Sequence, residues 1–116
     1  MKSEELKRDW EELLHKLSIQ FPGDGEIDLD GALLLIGTQE LQMGYVRLKK
    51  DEKLNVLHIA VCTVLEPYGY YEFEKRDKDG WPHFKTIMPL PNLKAGEQAI
   101  LMKEAVVNYF KTNGYL

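Results

Sequence analysis

Three residues with the chemistry of metal ligands or catalytic groups, His58, Cys62 and Glu66, recur at four-residue spacing through the apolar stretch LNVLHIAVCTVLE. Positions i and i+4 are neighbours on a helix surface, so the imidazole can reach the thiol and the thiol can approach the carboxylate. These are the donor types zinc uses, and an i, i+4 pair makes a natural two-ligand clip. His83, and more distantly Glu40, could complete a zinc or iron site if their segments fold back. The chain holds no CxxC, HxxxH or HExxH, so the spacing supplies only half of such a site. A plainer reading makes Cys62 a small buried hydrophobe and His58 a core-edge histidine bonded to a carbonyl.

Other chemistries fit less well. Cys62 as a nucleophile activated by His58 would need partial exposure in electropositive surroundings, and valines and leucines flank it instead. Burial among them raises a thiol pKa. Glu40 and Glu66 could act as a carboxylate pair with separated pKa values, but each lies near a helix end where simple solvation is the commoner state. Pro22-Gly23-Asp24-Gly25 matches neither phosphate-loop signature, and GDGEIDLDG lacks the spacing and terminal glutamate of a calcium loop.

Beyond the helix lies the densest aromatic cluster in the chain, of which Tyr70, Tyr71, Phe73, Trp81 and Phe84 are candidates for a protein interface. Tyrosine and tryptophan suit partial burial at interfaces, with a flat apolar body and a polar tip. The bland alternative is a small core that holds a hairpin together.

The elements that must position these groups follow from periodicity. A first helix is predicted from about Glu4 to Gln20, with Ser3 as N-cap and Leu6, Trp10, Leu13, Leu14, Leu17 and Phe21 on one face. A second starts near Asp28 or Asp30 and ends at Gly44, and its first half, LDGALLLIG, is apolar nearly all round. Gly37 in its middle costs about 1 kcal/mol against alanine, which points to close helix packing there. The third helix has Asp51 as its expected N-cap and is stopped by Pro67. So few of its sides are polar that it is expected to be the buried, central one. YYEFEKRD-KDG-WPHFKTIM, spanning 70–88, reads as a β-hairpin with Gly80 supplying a positive φ, and Pro82 confines its strand to an edge. A last helix runs from about Ala95 to Thr112 and is closed by Asn113-Gly114.

Composition limits the function classes. At 116 residues and 44% hydrophobic, the chain suits a single globular domain, 1–116, with one core. Nineteen acids against 15 bases, mixed along the chain, argue against a nucleic-acid partner, which would want a basic stripe. The longest apolar runs fall well short of the roughly 20 residues a membrane span needs, and the charged N-terminus is not a signal peptide. One cysteine in an apolar helix suits a reducing compartment, and the cytoplasm is the expected location.

In LIGTQEL (35–41), HIAVC (58–62), LEPYGYYEF (65–73) and DGWPH (79–83), the chain resembles a family of short uncharacterised bacterial proteins. The likeness covers roughly the central half and carries no activity to transfer. It implies a stand-alone bacterial cytoplasmic protein. The expected fold is α+β and mainly helical, with about four helices around a buried third helix and one hairpin packed on the bundle. The leading functional expectation is a non-catalytic interaction domain, self-associating through the hairpin and the apolar side of the second helix. The alternative is a small metal-binding protein or metal-dependent enzyme using His58, Glu66 and His83.

Overall fold

The computed structural model describes residues 3–21, 27–41 and 48–116. Within them the fold is α+β and mainly helical: α1 (Ser3–Gln20), α2 (Leu29–Glu40), α3 (Lys50–Leu65), an antiparallel hairpin of β1 (Tyr71–Arg76) and β2 (Pro82–Thr86), and α4 (Ala95–Thr112). The expected turn at residues 22–25 and the Gly44 cap lie outside the described residues. Two compact units are present, one of Met1–Ala32 with Leu93–Leu116, the other of Leu33–Asn92.

In the first unit α1 packs along α4. Leu6, Trp10, Leu13 and Leu17 bury the predicted stripe of α1, and Ala105, Val106, Val107 and Phe110 bury that of α4. Polar ties flank this seam. Lys111 Nζ lies 2.7 Å from Asp9 Oδ2, and Lys103 Nζ sits 5.6 Å from the centre of the Trp10 ring. Helix α4 starts where the Lys94 N–H donates to Glu97 Oε1 at 3.1 Å. It ends in a Schellman turn: the Gly114 N–H bonds the Lys111 carbonyl and the Tyr115 N–H the Phe110 carbonyl, with Gly114 at φ +77°. The Tyr115 ring then stacks at a tilt on Phe110, the apolar contact that accompanies this motif.

The second unit holds the candidate site. Gly37 of α2 meets Val56 of α3 so closely that a Cβ there would lie 2.4 Å from Val56 Cγ1 and 2.6 Å from its carbonyl oxygen. The mid-helix glycine thus marks the close packing its sequence suggested. Around this crossing Leu33, Ile36, Val56, Ile59, Ala60, Cys62, Val64 and Leu65 are buried. Two helix ends differ from expectation. Helix α3 is capped at Lys49, whose N–H donates to Glu52 Oε1 at 3.0 Å, so a glutamate reaching back replaces Asp51. Helix α2 stops at Glu40. Nor is α3 buried along its whole length: residues 50–55 are exposed, Leu54 by 61%, and burial begins at Val56. The charges of KKDEK explain this, because lysines and acids are seldom fully buried.

Candidate functional site

Pro67 ends α3 one residue after Glu66, and a single 3₁₀ turn, Glu66–Tyr68, redirects the chain. Gly69, at φ +86°, closes that turn by donating its N–H to the Glu66 carbonyl at 3.0 Å. The chain then enters β1, which lies against α3. Opposite each other in the hairpin stand Tyr71 and Thr86, Glu72 and Lys85, Phe73 and Phe84, Lys75 and His83, and Arg76 and Pro82. Glu74 is an extra residue, a β-bulge. Tyr71, Phe73, Arg76, Pro82, Phe84 and Thr86 therefore share one face, and Glu72, Lys75, His83 and Lys85 the other. The charged face is exposed, while Pro82 on the apolar face is buried.

The hairpin tip is built on one carboxylate. Asp77 Oδ1 accepts from the N–H groups of Asp79 at 2.9 Å and Trp81 at 3.0 Å, and its Oδ2 lies 3.0 Å from His83 Nε2. The bond to His83, followed by that from the Trp81 N–H, holds the carboxyl below the usual aspartate range. Gly80 takes φ +86° as the turn requires. Arg76 spans from the tip to the helix, donating from Nη1 to the Gly80 carbonyl at 2.9 Å and from Nη2 to the Glu40 carbonyl, at the end of α2, at 3.3 Å. A cation thus meets a backbone carbonyl at the negative end of a helix dipole.

Of the four residues first considered as ligands, the structure pairs two. Cys62 Sγ lies 3.7 Å from His58 Nε2, as i, i+4 spacing dictates. Cys62 itself is fully buried, and burial pushes its thiol up to about 11, which opposes the thiolate that a ligand or nucleophile must supply. His58 and Glu66 face solvent, and His83 is bound to Asp77. Among the described residues no group of three or more His, Cys, Asp or Glu is placed to hold a metal ion. The arrangement thus provides a neutral thiol beside a surface imidazole.

The aromatic candidates form a different picture. Phe73 and Phe84 meet edge to face with centroids 5.9 Å apart, while Tyr70, Tyr71 and Trp81 are half-buried. Four of the exposed large apolar residues lie here and in the segment leaving the hairpin, Phe73, Ile87, Met88 and Leu90, while Ile19, Leu54 and Ile100 are exposed singly on the helices. In α2, Leu33 and Ile36 are buried and Leu29, Leu34 and Leu35 are half-buried. Sequence reasoning missed Ile87, Met88 and Leu90, although the run TIMPLP breaks the polar alternation of the strand before it. It also missed Asp77, whose signal was an aspartate just ahead of Lys78-Asp79-Gly80, the residue type that bonds the backbone of its own turn.

Compared with models of known protein families, with characterised proteins and with solved structures, the chain gives no match. No helix among the described residues is long and apolar enough to cross a membrane.

Proposed function

We propose that this chain is a non-catalytic interaction domain that self-associates through its hairpin. The observation that carries this reading is the exposure of Phe73, Ile87, Met88 and Leu90 on one short stretch of structure. Single exposed hydrophobics are ordinary, but large apolar side chains gathered on a hairpin and its exit mark an interaction surface. A two-stranded hairpin is also marginal alone in water, and a partner strand or face removes that weakness. Chemistry at the helix border has less support, because the one thiol is neutral and buried and His83 is already engaged.

Sedimentation velocity over a concentration series tests the proposal. The chain should populate a dimer or larger species as concentration rises, and Phe73→Ala should move that equilibrium toward monomer with unchanged helical circular dichroism. His58→Ala should leave association unaltered. A chain that remains strictly monomeric up to its solubility limit refutes the reading.

A further inference from the structure

We infer that Asn113 is a site of spontaneous deamidation, and that the clasp of Tyr115 onto α1 sets how fast it reacts. Where glycine follows asparagine, the glycine nitrogen can attack the side-chain amide carbon, because no Cβ hinders the approach. A C–N bond forms between the Gly114 nitrogen and Asn113 Cγ, the side-chain nitrogen leaves as ammonia, and a cyclic imide results. Water then opens the imide at either carbonyl, giving aspartate or isoaspartate. Water is the one co-reactant, and nothing is oxidised or reduced. Of the four asparagines, Asn113 alone precedes a glycine; Asn55, Asn92 and Asn108 precede valine, leucine and tyrosine. Asp79 precedes Gly80, but an ionised carboxylate is a poor electrophile, so that pair is the slower one.

The native cap holds the reacting atoms apart. Asn113 has φ −89° and ψ 8°, so the Gly114 nitrogen is nearly eclipsed with the Asn113 nitrogen and turned away from Cβ, where ring closure needs it. The Gly114 N–H is bonded to the Lys111 carbonyl at 3.1 Å, and Asn113 Nδ2 donates to the Tyr109 carbonyl at 2.8 Å. Reaction therefore waits on opening of the last turn of α4, a local unfolding event. Asn113 and Gly114 are exposed, so burial does little to keep that turn closed. Tyr115 does more. Its N–H bonds the Phe110 carbonyl at 2.8 Å, its ring stacks on Phe110, and its hydroxyl donates to Gln20 Oε1 at the end of α1. Lys16 Nζ adds a bond to the Tyr115 carbonyl at 3.4 Å. The product cannot remake this cap. A carboxylate has no proton to donate to the Tyr109 carbonyl, and it puts a negative charge at the negative end of the α4 dipole. Isoaspartate also lengthens the main chain by an atom, which takes the Gly114 N–H out of register with the Lys111 carbonyl. Release of Tyr115 from α1 is thus one-way, a slow chemical timer built into the end of α4.

Mass spectrometry of the fragment 112–116, taken from the whole chain after incubation in mildly alkaline buffer, tests both halves of the inference. The readout is the mass gain of amide-to-acid exchange, with isoaspartate assayed alongside, in buffer and in urea. Gln20→Ala removes the hydroxyl's acceptor and leaves α4 untouched, so the folded rate should rise about threefold. Tyr115→Ala loses that bond and the ring pair together, and the rise should be about tenfold. In urea, where no clasp exists, all three chains should react at one rate, faster than any of them folded. Asn113→Asp, the product itself, should speed hydrogen exchange at the Tyr115 N–H with helical circular dichroism unchanged. No mass gain at Asn113 in urea overturns the site. A folded parent chain that reacts as fast as in urea overturns the shielding by the cap. Variants whose folded rates match that of the parent overturn the clasp.

Discussion

Gly37→Ala isolates the packing of α2 on α3. By intrinsic helix propensity alone the change should stabilise α2 by about 1 kcal/mol. The neighbour of the new methyl decides otherwise. A Cβ would sit 2.4 Å from Val56 Cγ1 and 2.6 Å from the Val56 oxygen, where ordinary contact begins at 3.4 Å, so the helices must part by roughly an ångström. Neither obstacle can swing aside: the oxygen is backbone, and Val56 is a fully buried β-branched residue with one strongly preferred rotamer in a helix. A gap of about that size forfeits a quarter to a half of the dispersion well along the crossing. Overpacking of this kind costs about 1–3 kcal/mol, and with both side chain and backbone blocking we take the upper end. Subtracting the propensity gain leaves a net loss of about 2 kcal/mol, or roughly 8 °C in Tm for a chain of this length. Gly96→Ala in α4 is the matched control, since nothing lies within 4 Å of its Cβ position. It should be neutral or gain up to about 1 kcal/mol. Urea unfolding followed by tryptophan fluorescence and far-ultraviolet circular dichroism reads both variants. Val56→Ala placed in the Gly37→Ala background should recover part of the loss, giving a non-additive cycle. If Gly37→Ala is as stable as the parent chain, the close crossing of α2 and α3 is wrong.

Three further outcomes follow from particular groups. Cys62 holds its proton to about pH 11 when folded, so the unfolded chain loses that proton first as pH rises. The Cys62 contribution to stability should be lost between about pH 8.5 and 11, by at most about 1.4 kcal/mol per unit, and Cys62→Ala should make the alkaline decline in urea titrations shallower by that amount, the raised Tyr115 and Lys111 accounting for what remains. Asp77 behaves in the opposite sense, since its folded carboxyl is depressed. Its contribution to the hairpin is full above about pH 4 and is lost as pH falls through the lowered value, so Asp77→Asn should flatten the acid titration of Trp81 emission read in a Trp10→Phe background. Gly114→Ala forces a side chain into φ +77° and should cost about 1–2 kcal/mol, measured by thermal unfolding.

Much of this fold was legible because its elements obey one rule each. The stripe Leu6, Trp10, Leu13, Leu17 specifies α1, Asn113-Gly114 ends α4, and Lys78-Asp79-Gly80 turns the hairpin where glycine permits positive φ. Gly37 announced its crossing because an unforced glycine inside a helix has no other use. What escaped detection depends on side chains answering at a distance. Lys49 and Lys94 are poor caps by residue type, and only the glutamate three residues onward makes them caps. In YEFEKR the apolar–polar alternation stops after Phe73, and three charged residues in a row do not say which of them bulges. Helical spacing correctly joined His58 to Cys62, but it could not show that Asp77 would claim His83.

The bulge has a consequence for how this strand can vary between related sequences. Because of the extra residue, Arg76 falls on the same face as Phe73 and Pro82, which is what lets its guanidinium reach the Glu40 carbonyl. Deleting Glu74 would leave Lys75 facing His83 and Arg76 facing Pro82, with the link intact. An added residue opposite Glu74, between His83 and Phe84, would restore even alternation and turn Arg76 outward, cutting the link between hairpin and helix. Replacing Glu74 by another exposed residue would not. Homologous chains should therefore carry no insertion between His83 and Phe84, while the residue at Glu74 drifts or is lost, so that an added residue in β2 is the informative event and a change at Glu74 is silent.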